Sequence, residues 1–215
     1  MTTGVFGGTF NPVHMGHLRV AEEIREDFHL DSVYFIPSHV PPHKEAAGGL
    51  PGERLRMLKA AVKGNAFFKV SDMEIRRGGV SYTIDTLKRM ERRFGDIYFI
   101  IGVDAFREIH TWYHYEDLFY HAGFIVMTRP ASPPADIPEM LPGAVSGRLT
   151  ALGDGVYRHE SGRKIYLHPV TKVDISSTKI RDLLKGERSV RYLVPPGVEK
   201  IILERGLYRS SDEYC

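Results

Sequence analysis

Apolar residues along the chain come in short bursts separated by stretches of helical period. Gly4-Val5-Phe6 reads as a short buried strand. From Met15 to Phe28 the apolar positions Leu18, Ala21, Ile24 and Phe28 fall near the helical spacing. Ser32 to Pro37 predicts a second strand, and the Pro-, Gly- and His-rich stretch from Ser38 to Gly52 a loop. Helices are expected over Glu53 to Val62, Thr83 to Phe94 and Trp112 to His121. Strands are expected over Phe67 to Val70, Ile97 to Ile101 and Phe124 to Met127, with 97–101 the strongest. Strands alternating with helices predict an α/β fold with a doubly wound parallel sheet. Ligands in that architecture bind on the loops that follow the carboxyl ends of the strands.

Residues 129 to 164 break this rhythm with five prolines and several glycines. They read as an insertion or extended loop within the same domain, partly mobile, with a hairpin around Glu160-Ser161-Gly162-Arg163. Two helices follow, Ile175 to Gly186 and Pro195 to Arg205, forming a small C-terminal helical portion over about residues 175–208. No internal repeat is visible. A chain of 215 residues suits one substantial core, so residues 1–215 are expected to form a single domain.

Composition narrows the function. Hydrophobic residues at 42% and charged residues at 26% are ordinary for a globular protein. No apolar run is long enough to span a bilayer, and the start of the chain lacks the basic flank and cleavage site of a signal peptide. The only cysteine is Cys215, so no disulfide can close within the chain. These absences lead to a cytoplasmic expectation. The net charge of +2 is too small for a partner such as a long nucleic acid. Arg76-Arg77 and Arg92-Arg93, the densest basic spots, read as solvated faces. A small anionic substrate needs only a few well-placed cations.

The loop after the first strand, Gly7-Gly8-Thr9-Phe10-Asn11-Pro12-Val13-His14-Met15-Gly16-His17-Leu18, carries the strongest chemistry. Two adjacent glycines allow close backbone approach to a ligand. Asn11-Pro12 predicts a turn, and a helix opens at His14 to Gly16. A strand, a bare loop and a helix N-terminus together form an anion site. His14 and His17, three residues apart, share one face of the first helical turn and can reach one phosphate chain. The glycine pair read alone is a tight turn, and the histidines alone a surface pair.

The segment resembles the signature of the HxGH nucleotidyltransferase superfamily, here His14-Met15-Gly16-His17, and more closely the bacterial nicotinate-nucleotide adenylyltransferases. The resemblance runs from Gly4 to Tyr208 and implies a Rossmann-like sheet of nucleotidyltransferase type. It departs over about residues 131–164, which are longer and richer in proline, and no role is assigned there. His39-Val40-Pro41-Pro42-His43-Lys44 matches a family run. Its prolines stiffen the loop that carries Lys44, a compact charge suited to phosphate, and the resemblance implies that Lys44 contacts ATP. Ile175-Ser176-Ser177-Thr178-Lys179-Ile180-Arg181 resembles the superfamily segment that closes over the ATP phosphates. Ser176 or Ser177 would cap the helix, with Arg181 forking onto phosphate oxygens; an ordinary capped surface helix is the alternative.

Gly79-Val80-Ser81-Tyr82-Thr83-Ile84-Asp85-Thr86-Leu87 resembles the family's SYTxDTL element, with Thr83 and Thr86 marking a helix start. Thr111-Trp112-Tyr113 is expected to open another. The N–H groups of both openings could grip a pyridine carboxylate stacked on Trp112, which makes Thr83, Ile84, Asp85, Trp112 and Tyr113 the pyridine-nucleotide candidates. Trp112 could equally be a core or interface residue. Asp104, after Gly102 at the end of the strongest strand, suits a ribose hydroxyl, a metal or a helix N-cap. Arg129-Pro130 also matches a family element, with Arg129 a candidate for the pyridine nucleotide's phosphate. The ATP set is then Gly7, Gly8, Thr9, Phe10, Gly16, Gly102, Asp104, Ile175, Ser176 and Ser177, with His14, His17, Lys44 and Arg181 catalytic.

The implied reaction, a step of NAD biosynthesis, joins ATP to nicotinate mononucleotide, giving deamido-NAD and pyrophosphate. Mg²⁺ is expected to come with ATP, and no protein metal site is expected. Rival readings are the same reaction with nicotinamide mononucleotide, a zinc site built from His14/His17 and His39/His43, and a non-catalytic nucleotide sensor. The sequence leaves oligomeric state, including a homo-oligomer, open.

Overall fold

The structure, a computed structural model, describes residues 1–41, 50–128 and 136–209. Lys44, His43 and Arg129 lie outside the described residues. The described elements run β1 (Thr3–Gly8), α1 (Met15–Asp27), β2 (Ser32–Pro37), α2 (Pro51–Ala61), β3 (Phe68–Val70), α3 (Met73–Arg77), α4 (Thr83–Phe94) and β4 (Ile97–Gly102). They continue with α5 (Val103–Arg107), α6 (Tyr115–His121), β5 (Gly123–Thr128), α7 (Gly143–Ser146), β6 (Leu149–Gly153), β7 (Val156–His159), β8 (Lys164–Pro169), α8 (Ser177–Lys185) and α9 (Pro196–Glu204). The strands form one sheet in the order β3-β2-β1-β4-β5-β8-β7-β6. Pairings β1–β4, β4–β5 and β5–β8 are parallel; β8–β7 and β7–β6 are antiparallel. The expected α/β sheet is present, with an antiparallel edge added from the proline-rich segment. That segment's strand β6 is largely exposed, so no apolar alternation marked it in the sequence.

The chain divides into two compact units: Met1–Gly7, Glu23–Val33 and Tyr82–Lys172, and Gly8–Glu22, Tyr34–Ser81 and Val173–Cys215. In the first unit, β4 and β5 bury Ile97, Ile100, Phe124, Ile125 and Val126 completely. Phe124 sits among Phe99, Phe106 and Phe119, with centroid separations of 5.9, 6.0 and 4.7 Å. Helix α4 covers the sheet with Ile84, Leu87 and Met90, all on one helical face. The predicted hairpin turn at 160–163 connects β7 to β8. Its Arg163 donates to Glu91 at 2.6 Å and Asp96 at 2.8 Å, while His121 shares Glu91 at 2.6 Å. In the second unit, α2 buries Met57 and Leu58, α8 Ile180 and Leu184, and α9 Val198 and Ile202.

One helix start differs from expectation. The helix expected from Trp112 begins at Tyr115, with His114 as a left-handed N-cap at φ 51°. Residues Ile109–Thr111 form a 3₁₀ turn instead, and its Ile109 carbonyl accepts the Trp112 N–H at 2.9 Å. The Thr111 N–H likewise goes to Glu108 at 2.9 Å. Those two amides are therefore spent within the chain, not offered to a ligand. Among the described residues no helix is long and apolar enough to cross a membrane.

Phe124 is fully buried between three other rings. Phe124→Ala should lower the unfolding free energy by about 3–5 kcal/mol. Urea denaturation reads this directly, and a loss below about 1 kcal/mol would remove Phe124 from the core's centre.

Candidate active site

The loop after β1 is where the chemistry collects, and the second compact unit holds it from several directions. Helix α2 sends the buried guanidinium of Arg54 to the Thr9 carbonyl at 2.8 Å. Arg181, from the second turn of α8, donates to the Asn11 carbonyl at 2.8 Å and to Thr178 Oγ1 at 3.2 Å. The Ser177 hydroxyl donates to the Pro12 carbonyl at 2.9 Å. The Tyr208 hydroxyl donates to Asn11 Oδ1 at 2.6 Å in a buried contact, and the Met15 N–H donates to the Leu193 carbonyl at 2.9 Å. A loop with no sheet or helix partner for its carbonyls has each of these three satisfied by side chains.

The glycines of this loop make room for the protein's own rings. A Cβ on Gly16 would lie 3.1 Å from His14 Nδ1 and 3.2 Å from its Cε1. The small residue between the two histidines therefore lets the His14 ring lie against the first turn of α1. A Cβ on Gly8 would lie 3.2 Å from the Phe10 ring, and one on Gly7 3.3 Å from the Phe99 ring. Neither Gly7 nor Gly8 has a positive φ.

The two imidazoles stack, with centroids 3.7 Å apart and planes inclined by 27°. The Phe10 ring meets His17 edge-on at 5.1 Å. The His14 N–H donates to His17 Nδ1 at 3.3 Å. Nδ1 thus acts as acceptor, which puts the proton of the neutral ring on Nε2 as a donor. His14 is 6% exposed, and its Nδ1 has no hydrogen-bond partner among the described residues. Burial lowers the His14 pKa to about 4. Burial, reinforced by the adjacent His14, holds His17 well below the ordinary histidine value. Both rings are therefore neutral near pH 7, poised to gain charge when an anion offsets the desolvation.

The Ser176 Oγ accepts the Lys179 N–H at 3.2 Å and so caps α8. Of the two serines that could have been the cap, Ser176 takes that role and Ser177 grips the loop. Ile175 is half-buried just before them. The sequence assigns no role to Arg54 or Tyr208, and to Asn11 only a turn. Arg54 and Tyr208 carry no motif, because their partners are backbone or side-chain atoms far away in the chain.

The first unit holds the other candidates. Gly102 is the N-cap of α5, so Asp104 lies in the first turn, exposed, and is not the cap. Trp112 is half-buried, its ring edge against Phe99 at 6.2 Å. Tyr113 is 56% exposed and lies 4.6 Å from the ring of Tyr82, the residue immediately before α4. The SYTIDTL and TWY segments thus meet through Tyr82, which sequence reasoning passed over. Tyr82 is the N-cap of α4 without a capping side-chain bond, so Thr83 opens the helix rather than capping it. Ile84 is buried, and Thr83 and Asp85 are half-buried.

A mostly parallel sheet whose first loop carries a stacked histidine pair is the architecture of a nucleotidyltransferase. Residues 5–183 match the cytidylyltransferase-like family model. A Syntrophotalea carbinolica protein named "Probable nicotinate-nucleotide adenylyltransferase" is 43% identical over 216 residues, covering 99% of both chains. A Citrifermentans bemidjiense protein of the same name is 45% identical, covering 97% of this chain and 98% of the relative. The chain belongs to the cytidylyltransferase-like family and, within it, to the nicotinate-nucleotide adenylyltransferases. Among solved structures, the Plasmodium falciparum nicotinic acid mononucleotide adenylyltransferase complexed with NaAD shares the fold. Its TM-score is 0.71 at 19% identity, over 96% of this chain and 97% of that one. The same enzyme complexed with APC gives 0.68 at 18% identity, over 96% of each chain.

The histidine pair has a measurable consequence without substrate. Between the ordinary value of 6.5 and about 4, the unfolded chain takes up a proton on His14 that the folded chain refuses. Binding more protons when unfolded makes stability rise with pH. His14 thus favours the folded state fully above pH 6.5, and the benefit fades as pH falls toward 4. Urea midpoints measured from pH 7 to 4 should drop more steeply for the wild type than for His14→Gln; parallel curves would contradict the buried neutral ring.

Proposed function

We propose that this chain transfers the AMP part of ATP to the phosphate of nicotinate mononucleotide, forming deamido-NAD and pyrophosphate. The stacked His14–His17 pair on a loop pinned by Arg54, Arg181 and Ser177 carries the reading. Identity of 43–45% to relatives bearing that name supports it.

In this reading a phosphate oxygen of the mononucleotide attacks the α-phosphorus of ATP. The bond to the β-bridging oxygen breaks, and its electron pair leaves with pyrophosphate. The nucleophile is already anionic at neutral pH, so the chain needs no strong general base. Its work is alignment and stabilisation of the charge that grows on the α-phosphate and the leaving group. His17, with Nε2 as donor, stabilises the α-phosphate oxygens. His14, Arg181 and, from the sequence, Lys44 hold the β and γ groups. Gly7, Gly8, Thr9, Phe10, Gly16, Ile175, Ser176 and Ser177 are assigned to the nucleotide, and Gly102 and Asp104 to its ribose. Arg181 would exchange or share its bond to the Asn11 carbonyl on engaging phosphate.

No group of three His, Cys, Asp or Glu side chains among the described residues could hold a metal ion. A donor set of imidazole and guanidinium fits a cation that arrives on the triphosphate with water ligands. Mg²⁺ would there neutralise part of the triphosphate charge. The pyridine nucleotide is assigned to the uncapped start of α4 at Thr83, Ile84 and Asp85, with Trp112 and Tyr113 as its aromatic neighbours and Arg129 at its phosphate. A carboxylate suits backbone N–H donors where a carboxamide would set its own NH₂ against them. Small-molecule substrates and a cytoplasmic location complete the reading.

The deciding assay is pyrophosphate release with ATP and either nicotinate or nicotinamide mononucleotide at matched concentration. The acid should be used more efficiently; release with neither acceptor would overturn the reading. His17→Ala should lower kcat on the order of 10²-fold, and turnover at the wild-type rate would remove it from the chemistry. Trp112→Ala should raise KM for the mononucleotide roughly three- to tenfold, the range of one aromatic contact. An unchanged KM would move the pyridine elsewhere.

A further inference from the structure

We propose that Arg54, outside every motif of the chain, is a positioning residue that sets the phosphate-binding loop and the following connection to each other; this rests on the function proposed above. Its side chain is among the largest that are completely buried, and the residue is 2% exposed. A cation there is costly, because burial opposes its charge. An apolar side chain of similar size would commonly be at least as stabilising in such a place. The core accepts the cost, and the contacts point to what is gained.

Nη1 donates to the Thr9 carbonyl at 2.8 Å and Nη2 to the His39 carbonyl at 3.0 Å. One rigid planar fork therefore spans two loops that are 30 residues apart in sequence (39 − 9). Glu74, 7% exposed on α3, favours its charge. The second loop is fixed from its other side as well. The His39 N–H donates to Ser81 Oγ at 2.8 Å, its ring Nδ1 lies 3.0 Å from the Gly79 carbonyl, and the Ser81 N–H donates to the Val40 carbonyl at 2.9 Å. His39 is thereby gripped on both its carbonyl and its amide, and Arg54 ties it back to the phosphate loop alongside the Ser38 N–H, which donates to the Gly8 carbonyl at 3.0 Å.

The direction of the Thr9 carbonyl matters for function. In a trans peptide the C=O and the next N–H point opposite ways. Drawing the Thr9 carbonyl toward Arg54 turns the Phe10 N–H away from it. It also fixes the backbone on which the Phe10 ring meets His17. Arg54 touches neither substrate nor reacting atoms in this account; it acts through the loop that does.

The test compares wild type, Arg54→Lys and Arg54→Met as full-length chains, at a temperature where near-UV circular dichroism shows each folded. Titration calorimetry with ATP should show Kd about tenfold higher or more in Arg54→Met. Arg54→Lys, keeping the charge without the fork, should fall between the two. KM for ATP should rise in the same order, while KM for nicotinate mononucleotide stays within about twofold. A residue that only stabilises the core would lower Tm and leave both constants unchanged in folded protein, and that pattern overturns the proposal. If Arg54→Met does not fold, Arg54→Lys decides: an ATP Kd within about twofold of wild type overturns it. A wild type that releases no pyrophosphate sinks the function reading alone, since the ATP affinities are still compared by calorimetry.

Discussion

The structure depends on one constraint: the loop between β1 and α1 must leave regular hydrogen bonding, and its carbonyls must then be held by side chains. Thr9, Asn11 and Pro12 turn theirs toward Arg54, Arg181 and Ser177. The grip on Asn11 is doubled by the Tyr208 hydroxyl. These partners come from α2, from α8 and from the segment after α9, so parts of the chain from 45 to 197 residues further on serve the first loop. Without such anchoring, a glycine-containing loop would populate many conformations, and the two imidazoles would lose their shared orientation.

The geometry of that pair follows from the packing beneath it. Gly16 leaves space for the His14 ring, His14 stacks on His17, and Phe10 closes the edge. Desolvation keeps both rings neutral, so in the proposed reaction the site need not hold two repelling charges before substrate arrives. In that reaction a triphosphate would supply the compensating charge, and the donors would gain strength as negative charge develops. Electrostatic preparation and backbone anchoring are thus two sides of one design. The first unit has a different surface of its own, where the Tyr82 and Tyr113 rings meet beside the uncapped start of α4.

Much of this was legible in the residues themselves. Strands of Val, Ile and Phe separated by helical-period stretches determined the α/β alternation. The ranges Ser32–Pro37 and Thr83–Phe94 could be read to the residue, because burial on one face imposes a period that needs no partner to be identified. The loop chemistry was equally visible, since His14, Gly16 and His17 lie within one helical turn and local spacing fixes their shared face. What only the tertiary structure decided were relations between distant parts of the chain. Sequence alone left Ser176 and Ser177 as rival caps; the Pro12 carbonyl, 165 residues away, claims one of them. The exposed strand β6 carries no alternation because a neighbouring strand, not a buried face, holds it. Arg54 belongs to no motif, and Thr111-Trp112-Tyr113 reads as a helix start with N–H groups to offer. Their states are set by the carbonyls of Thr9, His39 and Ile109, and a backbone carbonyl has no side-chain identity through which a sequence could announce it.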